Sequence, residues 1–144
     1  MKYFLALLLL LPALAFAAKT PKGVTYDTQI LKVTDGDTIV IAAPFLPAPL
    51  KPQLAVRIFG VDTPEKGHRA QCPSEAARGE QASQYTKAMV AQGKQFQVTL
   101  YGWDKFGGRV LGDILVNGQS VRQGLIANGF AREYFGEAKQ SWCN

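Results

Sequence analysis

A charged cluster on an apolar strand is the feature that most restricts how this chain can fold. Residues 56–65, with the sequence VRIFGVDTPE, combine an apolar run with the guanidinium of Arg57 and the carboxylates of Asp62 and Glu65. A fully buried strand is expected to carry apolar side chains on both faces, and an unpaired charge in an apolar interior is very costly. The cluster therefore predicts either an internal ion pair or a site for a charged ligand.

A second acidic turn lies about twenty residues upstream of this cluster. Asp35, Gly36 and Asp37 connect two predicted strands, although Asp-Gly is also a common hairpin turn. In a barrel, Asp37 at the start of the second strand and Asp62 at the end of the third would converge at one rim. Carboxylates, together with the carbonyl of Thr63, are the hard oxygen ligands that calcium prefers. The two segments together indicate metal-assisted hydrolysis of a phosphodiester.

Two arginines are candidates for contact with a phosphate. Arg57 lies within the apolar strand, and Arg109 opens a later predicted strand after a turn with two glycines. Two guanidinium groups can clamp a phosphate and stabilise the charge that develops in its transition state. The alternative for Arg57 is a purely structural ion pair with Asp62 or Glu65.

The N-terminal segment predicts export from the cytoplasm. Residues 1–17 carry one positive charge, followed by an apolar run that ends in Ala-Phe-Ala, the pattern of a cleaved signal peptide. An uncleaved anchor is the weaker alternative, because a spanning helix needs about 18 apolar residues or more. We expect a secreted or periplasmic protein, free of the membrane after cleavage, in which residues 18–144 form one domain and a monomer.

Charge and cysteine content agree with this compartment. Cleavage removes Lys2 and no acid, so 15 basic and 11 acidic residues remain, a net charge of +4 that attracts polyanions mildly. Alone, this excess fits any soluble secreted protein equally well. In an oxidising compartment, Cys72 and Cys143 most simply form one disulfide. A reactive or metal-binding thiol is the weaker alternative, because the chain has one histidine and no C-x-x-C spacing.

Periodicity predicts the order of secondary structure. Strands are predicted over residues 28–34, 38–42, 54–61, 95–103 and 109–116, and helices over 74–91 and 121–128. This order predicts a β-rich α+β fold, a five-stranded OB-type Greek-key barrel. One helix lies between the third and fourth strands, and a second short helix lies near the C-terminus.

Three segments resemble the signature motifs of the thermonuclease (staphylococcal nuclease-like) family. They are residues 33–38 (VTDGDT), 57–65 (RIFGVDTPE) and 104–109 (DKFGGR), and they follow the order of the family. The similarity covers roughly residues 28–132. It implies an OB-type barrel and calcium-dependent hydrolysis of DNA and RNA that leaves 3′-phosphate ends. It also implies contacts to the nucleic-acid backbone, which carry no sequence information.

The resemblance implies a calcium site built from oxygen ligands. The carboxylates of Asp37 and Asp62 and the carbonyl of Thr63 would bind Ca²⁺, and Asp35 would lie next to these ligands. Calcium lowers the pKa of bound water less than zinc does, so a carboxylate base near the ion would be useful.

The resemblance also implies a catalytic set. Glu65 would position or deprotonate the attacking water, while Arg57 and Arg109 would hold the scissile phosphate. Lys105 and Tyr134 are further candidates for contact with the nucleic acid.

Two features depart from the pattern of the family. The third motif has two glycines before Arg109, an extra residue that would shift the arginine by one strand position. The tail ends early, and the chain resembles a compact secreted subgroup in which Cys143 is bonded to Cys72.

Two other functions stay open. A catalytically silent OB module would bind nucleic acid without cutting it, but such modules usually lose the arginines or carboxylates that this chain retains. A calcium-stabilised structural domain would explain the acidic residues and would leave both arginines without a purpose.

Overall fold

The structure is a computed structural model, and it describes residues 21–143. The predicted signal peptide, residues 1–17, lies outside the described residues. Within residues 21–143, no helix has both the length and the apolar character needed to cross a membrane.

Short strands dominate the described part of the chain. The strands are β1 (Val24–Asp27), β2 (Ile30–Asp35), β3 (Thr38–Ala42), β4 (Gln53–Ile58), β5 (Val61–Asp62), β6 (Phe96–Trp103), β7 (Val110–Val116), β8 (Gln119–Ser120) and β9 (Arg132–Glu133). The helices are α1 (Pro73–Ala91) and α2 (Val121–Ala127), and one 3₁₀ turn covers Gly67–Arg69.

The main sheet has the strand order of an OB-type barrel. Its path runs β1-β6-β7-β4-β3-β2, and β4 and β7 are the parallel neighbours in an otherwise antiparallel arrangement. The two ends of the path, β1 and β2, are joined by Thr28 and Gln29, which bond to the strands on either side. One bent segment of chain therefore forms both ends of the curved sheet, and the predicted barrel is confirmed.

Three short strands, β1, β8 and β9, were not predicted. Strand β1 has no buried side chain, although Val24 and Tyr26 alternate with polar residues, and it pairs with β6 through main-chain bonds. The third predicted strand is divided, since Gly60 has a φ of +74° and separates β4 from β5. Strand β9, in the tail, pairs with β5.

Strand β4 is buried on one face, which corrects the expectation of burial on both. Val56 and Ile58 are 0% and 1% exposed and point into the barrel core, whereas Arg57 between them is only partly buried. Alternation along a strand sends neighbouring side chains to opposite faces. Burial of each core side chain contributes about 1.5–3 kcal/mol, so the core fixes the strand that carries Arg57.

Helix α1 packs closely against the loop that follows β5. A Cβ atom added at Gly79 would lie 2.6 Å from the carbonyl carbon of Glu65 and 2.8 Å from the carbonyl oxygen of Pro64. The helix begins at Pro73, after Cys72, whose sulfur accepts a hydrogen bond from the main-chain N–H of Glu75. Proline at the first helical position is common, because its missing N–H has no partner there.

The predicted disulfide between Cys72 and Cys143 is present and joins the start of α1 to the tail. Arg132 holds the tail as well, because it donates hydrogen bonds to the carbonyls of Gln140 and Ser141. Its guanidinium also lies 3.7 Å from the centre of the Trp142 ring. The end of the chain is therefore an integral part of the fold.

Replacing Cys72 and Cys143 together with serine should lower the free energy of unfolding by about 2–4 kcal/mol, because the unfolded chain gains entropy. Denaturant unfolding in non-reducing buffer measures the change. A reducing agent should destabilise the wild type and leave the double variant unaffected. Equal stability of the two proteins would contradict the assigned role of the disulfide.

Replacing Gly79 with alanine should lower the free energy of unfolding by about 1–3 kcal/mol through steric overlap with the main chain of Glu65. Alanine is otherwise favoured over glycine in a helix by about 1 kcal/mol, so the sign of the effect is diagnostic. Gly102→Ala is the matched control, because a Cβ atom there meets nothing within 4 Å. Stabilisation by Gly79→Ala would show that the helix and loop are packed less closely.

Candidate active site

One small cavity collects most of the charged residues predicted from the three motifs. Its volume is about 30 Å³, and we call it the polar cavity. It is lined by Asp35, Gly36, Asp37, Arg57, Thr63, Pro64, Glu65, Lys66, Arg69, Gly79 and Arg109. A larger space of about 590 Å³, which we call the groove, shares Arg57, Glu65, Arg69 and Arg109 with it.

The register of β3 and β4 brings Asp37 and Arg57 together. Thr38 lies opposite Arg57 in this antiparallel pair, and Asp37 directly precedes Thr38. Arg57 Nη1 donates to Asp37 Oδ2 at 2.8 Å, and Nη2 donates to the carbonyl of Val61 at 3.3 Å. The sequence left Asp62 or Glu65 as structural partners of Arg57, and the structure pairs it with Asp37 instead.

The turn that carries Asp37 is fixed against helix α1. A Cβ atom at Gly36 would lie 2.9 Å from the Cβ of Ala82, so only glycine allows this close approach. The hydroxyl of Thr86 donates to the carbonyl of Gly36 at 2.7 Å. The Asp37 carboxylate, in turn, accepts a hydrogen bond from the hydroxyl of Thr38 at 3.0 Å. Asp37 is therefore held in a fixed position, and only 6% of the residue is exposed.

Asp35 meets two cations on the far side of the cavity. Its Oδ2 accepts a hydrogen bond from Arg69 Nη2 at 3.0 Å, and its Oδ1 lies 3.4 Å from Lys66 Nζ. The hydrogen bond with Asp35 and the charge of that carboxylate raise the pKa of Arg69. Asp35 Oδ1 is buried and accepts no hydrogen bond, so beyond its ion pair with Lys66 it could accept one further ligand.

Arg69 is a site residue that sequence reasoning missed. It lies in the 3₁₀ turn, and its Nε is 3.4 Å from Glu65 Oε2 while its Nη2 reaches Asp35. The only sequence signal was its position four residues after Glu65, which carries little weight outside a regular helix.

The two-glycine turn brings Arg109 to the cavity. Gly107 and Gly108 have φ values of +71° and +72°, a left-handed pair that accommodates the extra residue. The loop is closed by hydrogen bonds from Asp104 N to Arg109 O and from Gly107 N to Asp104 O. Arg109 Nη2 also lies 2.7 Å from Asp104 Oδ2.

Strand β7 then runs parallel to β4, with Val56 opposite Val110 and Arg57 opposite Leu111. Arg109 precedes Val110, so the register places the two arginines near the same end of the parallel pair. Arg57 and Arg109 line both the polar cavity and the groove.

Asp62 does not line the polar cavity but lines a neighbouring space of about 350 Å³ together with Thr63 and Glu65. Its Oδ1 lies 2.7 Å from Lys139 Nζ, and its Oδ2 accepts a hydrogen bond from Trp142 Nε1 at 3.0 Å. It is 5% exposed and does not line the polar cavity, although Thr63 next to it does. The structure thus brings Asp35, Asp37 and Thr63 together, and the role of Asp62 as a metal ligand stays a prediction.

The residues of the polar cavity fit a hard cation. Its donors are carboxylate and main-chain oxygens, the ligand type of calcium, and the unbonded Asp35 oxygen is among them. Among residues 21–143, no three acidic side chains of the cavity have carboxylate oxygens that all lie within 4.8 Å of one another. Three possible ligand residues do lie that close elsewhere, namely Cys72, Glu75 and Cys143, but the two cysteine sulfurs are bonded to each other.

The groove adds cations and exposed aromatic rings. Lys105 and Tyr134, predicted as substrate contacts, both line it, together with Lys139. Trp103 and Phe106 on its wall are 70% and 79% exposed, which is unusual for such large apolar side chains. Cations outnumber carboxylates along the groove, so it is electrostatically suited to a polyanion.

Comparison with known proteins assigns the chain to a family. A family model described as staphylococcal nuclease homologue matches residues 55–142, more than half of the chain. No curated protein matches the sequence. The matched range includes the second and third motifs and the tail, and it begins after the turn that carries Asp35 and Asp37. This match covers more than half of the chain and agrees with the barrel described above, so the chain belongs to the staphylococcal nuclease family.

Proposed function

We propose that this protein is an exported, calcium-dependent nuclease that hydrolyses phosphodiester bonds of DNA and RNA without sequence specificity and leaves 3′-phosphate ends. Membership of the staphylococcal nuclease family supports hydrolysis of phosphodiesters. The observation that carries the proposal is the polar cavity, which is lined by Arg57, Arg109 and Glu65 together with Asp37.

The two arginines would bind the scissile phosphate. Each uses only part of its donor capacity in the structure, Arg57 on Asp37 and Val61 and Arg109 on Asp104. A guanidinium has five N–H donors, so further donors are available to phosphate oxygens. Donors fixed before the substrate arrives stabilise the charge that develops in the transition state, with little reorganisation.

Glu65 would act on the attacking water. Its side chain is 44% exposed and lines both the polar cavity and the groove, so both water and a substrate in the groove can reach it. Main-chain packing against Gly79 fixes its backbone. A carboxylate within hydrogen-bonding distance of a bound water can orient it or accept its proton.

The cation would be held by the carboxylate of Asp37 and the carbonyl of Thr63, with Asp35 beside them and Asp62 as the further ligand implied by the family motif. Calcium supplies neutralisation of phosphate charge and orientation of water. Arg57, bonded to Asp37, links the phosphate-binding and cation-binding parts of the site.

The groove supports a polymeric substrate. Its cations would contact phosphates on either side of the cleaved bond, and such contacts do not depend on sequence. The exposed rings of Trp103 and Phe106 offer flat faces to bases, and base–aromatic stacking also tolerates any sequence.

Purified mature protein should hydrolyse single-stranded DNA and RNA when calcium is present, and hydrolysis should stop when a chelator is added. Glu65→Gln and Arg57→Ala should each lower kcat by about 10²–10⁴-fold, because each removes one catalytic interaction. Glu80→Gln is the control, since Glu80 is exposed on α1 and bonds only to Gln84 among the described residues.

Full activity of both site variants would reject the assignment of the site. A wild-type protein that retards DNA in a gel and never cuts it would instead identify a binding module without catalytic activity.

Replacing Lys139 with methionine should tighten calcium binding by roughly tenfold, because a buried carboxylate that loses its cation attracts another more strongly. Lys139 contacts Asp62 Oδ1, whereas Lys105 lies along the same groove and pairs with no carboxylate among residues 21–143. Lys105→Met is therefore the control for the general loss of positive charge. Isothermal titration calorimetry measures both variants, and equal affinities would argue against Asp62 as a ligand.

A further inference from the structure

Glu75 is a buried carboxylate that the proposed mechanism does not use. It is 6% exposed, and it takes part in none of the ion pairs found in the described part of the chain. A buried carboxylate needs hydrogen bonds to offset the loss of hydration. Its partners are two main-chain N–H groups, those of Glu65 and Gln71.

These two N–H groups belong to the two ends of one loop. The N–H of Glu65 donates to Glu75 Oε1 at 3.2 Å, and the N–H of Gln71 donates to Oε2 at 2.7 Å. The loop between them carries the side chains of Glu65 and Arg69 into the polar cavity. One side chain thus closes the loop that presents the proposed base.

The position of Glu75 is electrostatically favourable for an acidic side chain. It lies in the first turn of α1, where the helix dipole favours negative charge. Its own N–H donates to the sulfur of Cys72, and the disulfide to Cys143 fixes that residue. The restraint therefore runs from the disulfide through the start of α1 to the main chain of Glu65.

We propose that Glu75 is a positioning residue for Glu65, an inference that rests on the proposed nuclease function. Its two oxygens hold the loop at both ends, while Gly79 supports the Glu65 main chain from the helix side. Glu75 lines neither the polar cavity nor the groove, but it does line a third space of about 350 Å³ together with Asp62, Thr63 and Glu65. Both of its oxygens accept hydrogen bonds from main-chain N–H groups, so we assign it a role through Glu65 and not on the substrate.

An isosteric variant separates this role from simple filling of space. Glu75→Gln has nearly the same shape, but it places an NH₂ group against one of the two N–H donors, and that pair cannot form a hydrogen bond. Glu80→Gln is the matched control, because Glu80 lies on the same helix and its carboxylate is exposed.

Two readouts test the proposal. Amide hydrogen exchange, measured by NMR without substrate, should accelerate by about tenfold or more at Glu65 and Gln71 in Glu75→Gln. Steady-state kinetics should show a fall in kcat of about 10–100-fold, typical of lost outer-shell support. KM should stay within about twofold, because the phosphate-binding arginines are untouched.

Unchanged exchange at these two amides, or an unchanged kcat in a folded Glu75→Gln variant, would overturn the proposal. If Glu75→Gln does not fold, Glu75→Asp replaces it, because aspartate keeps the charge at the helix start and is too short to reach both N–H groups. A wild-type protein without nuclease activity would refute the proposed function, and the exchange measurement would still decide whether Glu75 holds the loop.

Discussion

The register of β4 between β3 and β7 is the constraint on which the rest of the site depends. Val56 and Ile58 anchor β4 in the core, so Arg57 must point to the opposite face. The antiparallel partner places Asp37 beside Arg57, and the parallel partner brings Arg109 to the same end. A slip of one residue would reverse every side chain of the strand. Apolar packing of β4 thus fixes the positions of the charged groups.

The charges of the site balance one another before any ligand arrives. Asp37 is paired with Arg57, Asp35 with Arg69, Asp104 with Arg109, and Asp62 with Lys139. Each pair lowers the cost of keeping a buried or half-buried charge. A cation or a phosphate must therefore share or replace a partner that the chain already supplies. The tail takes part in this balance, because Lys139 and Trp142 together bond both oxygens of Asp62.

Local patterns in the sequence predicted the barrel and most of the cavity, because the three motifs lie on strands whose order determines which ends meet. Long-range contacts were beyond such patterns. The hydrogen bond between Asp62 and Trp142 joins residues 80 positions apart, and Glu75 and Gly79 gave only an ordinary helical signal. The expectation that β4 is buried on both faces was wrong, because one of its faces lines the polar cavity. The structural partner of Arg57 was also not foreseen, since Asp37 lies twenty residues away in the chain.

The most direct test is a crystal structure of the protein with calcium and a short oligonucleotide that carries a hydrolysis-resistant phosphorothioate. The account predicts a phosphate between Arg57 and Arg109, and a cation bound by the Asp37 carboxylate and the Thr63 carbonyl at about 2.3–2.6 Å. Glu65 should face the water next to that phosphorus. A phosphate bound elsewhere along the groove, with Arg109 still closed on Asp104 and no cation beside Asp37, would contradict it.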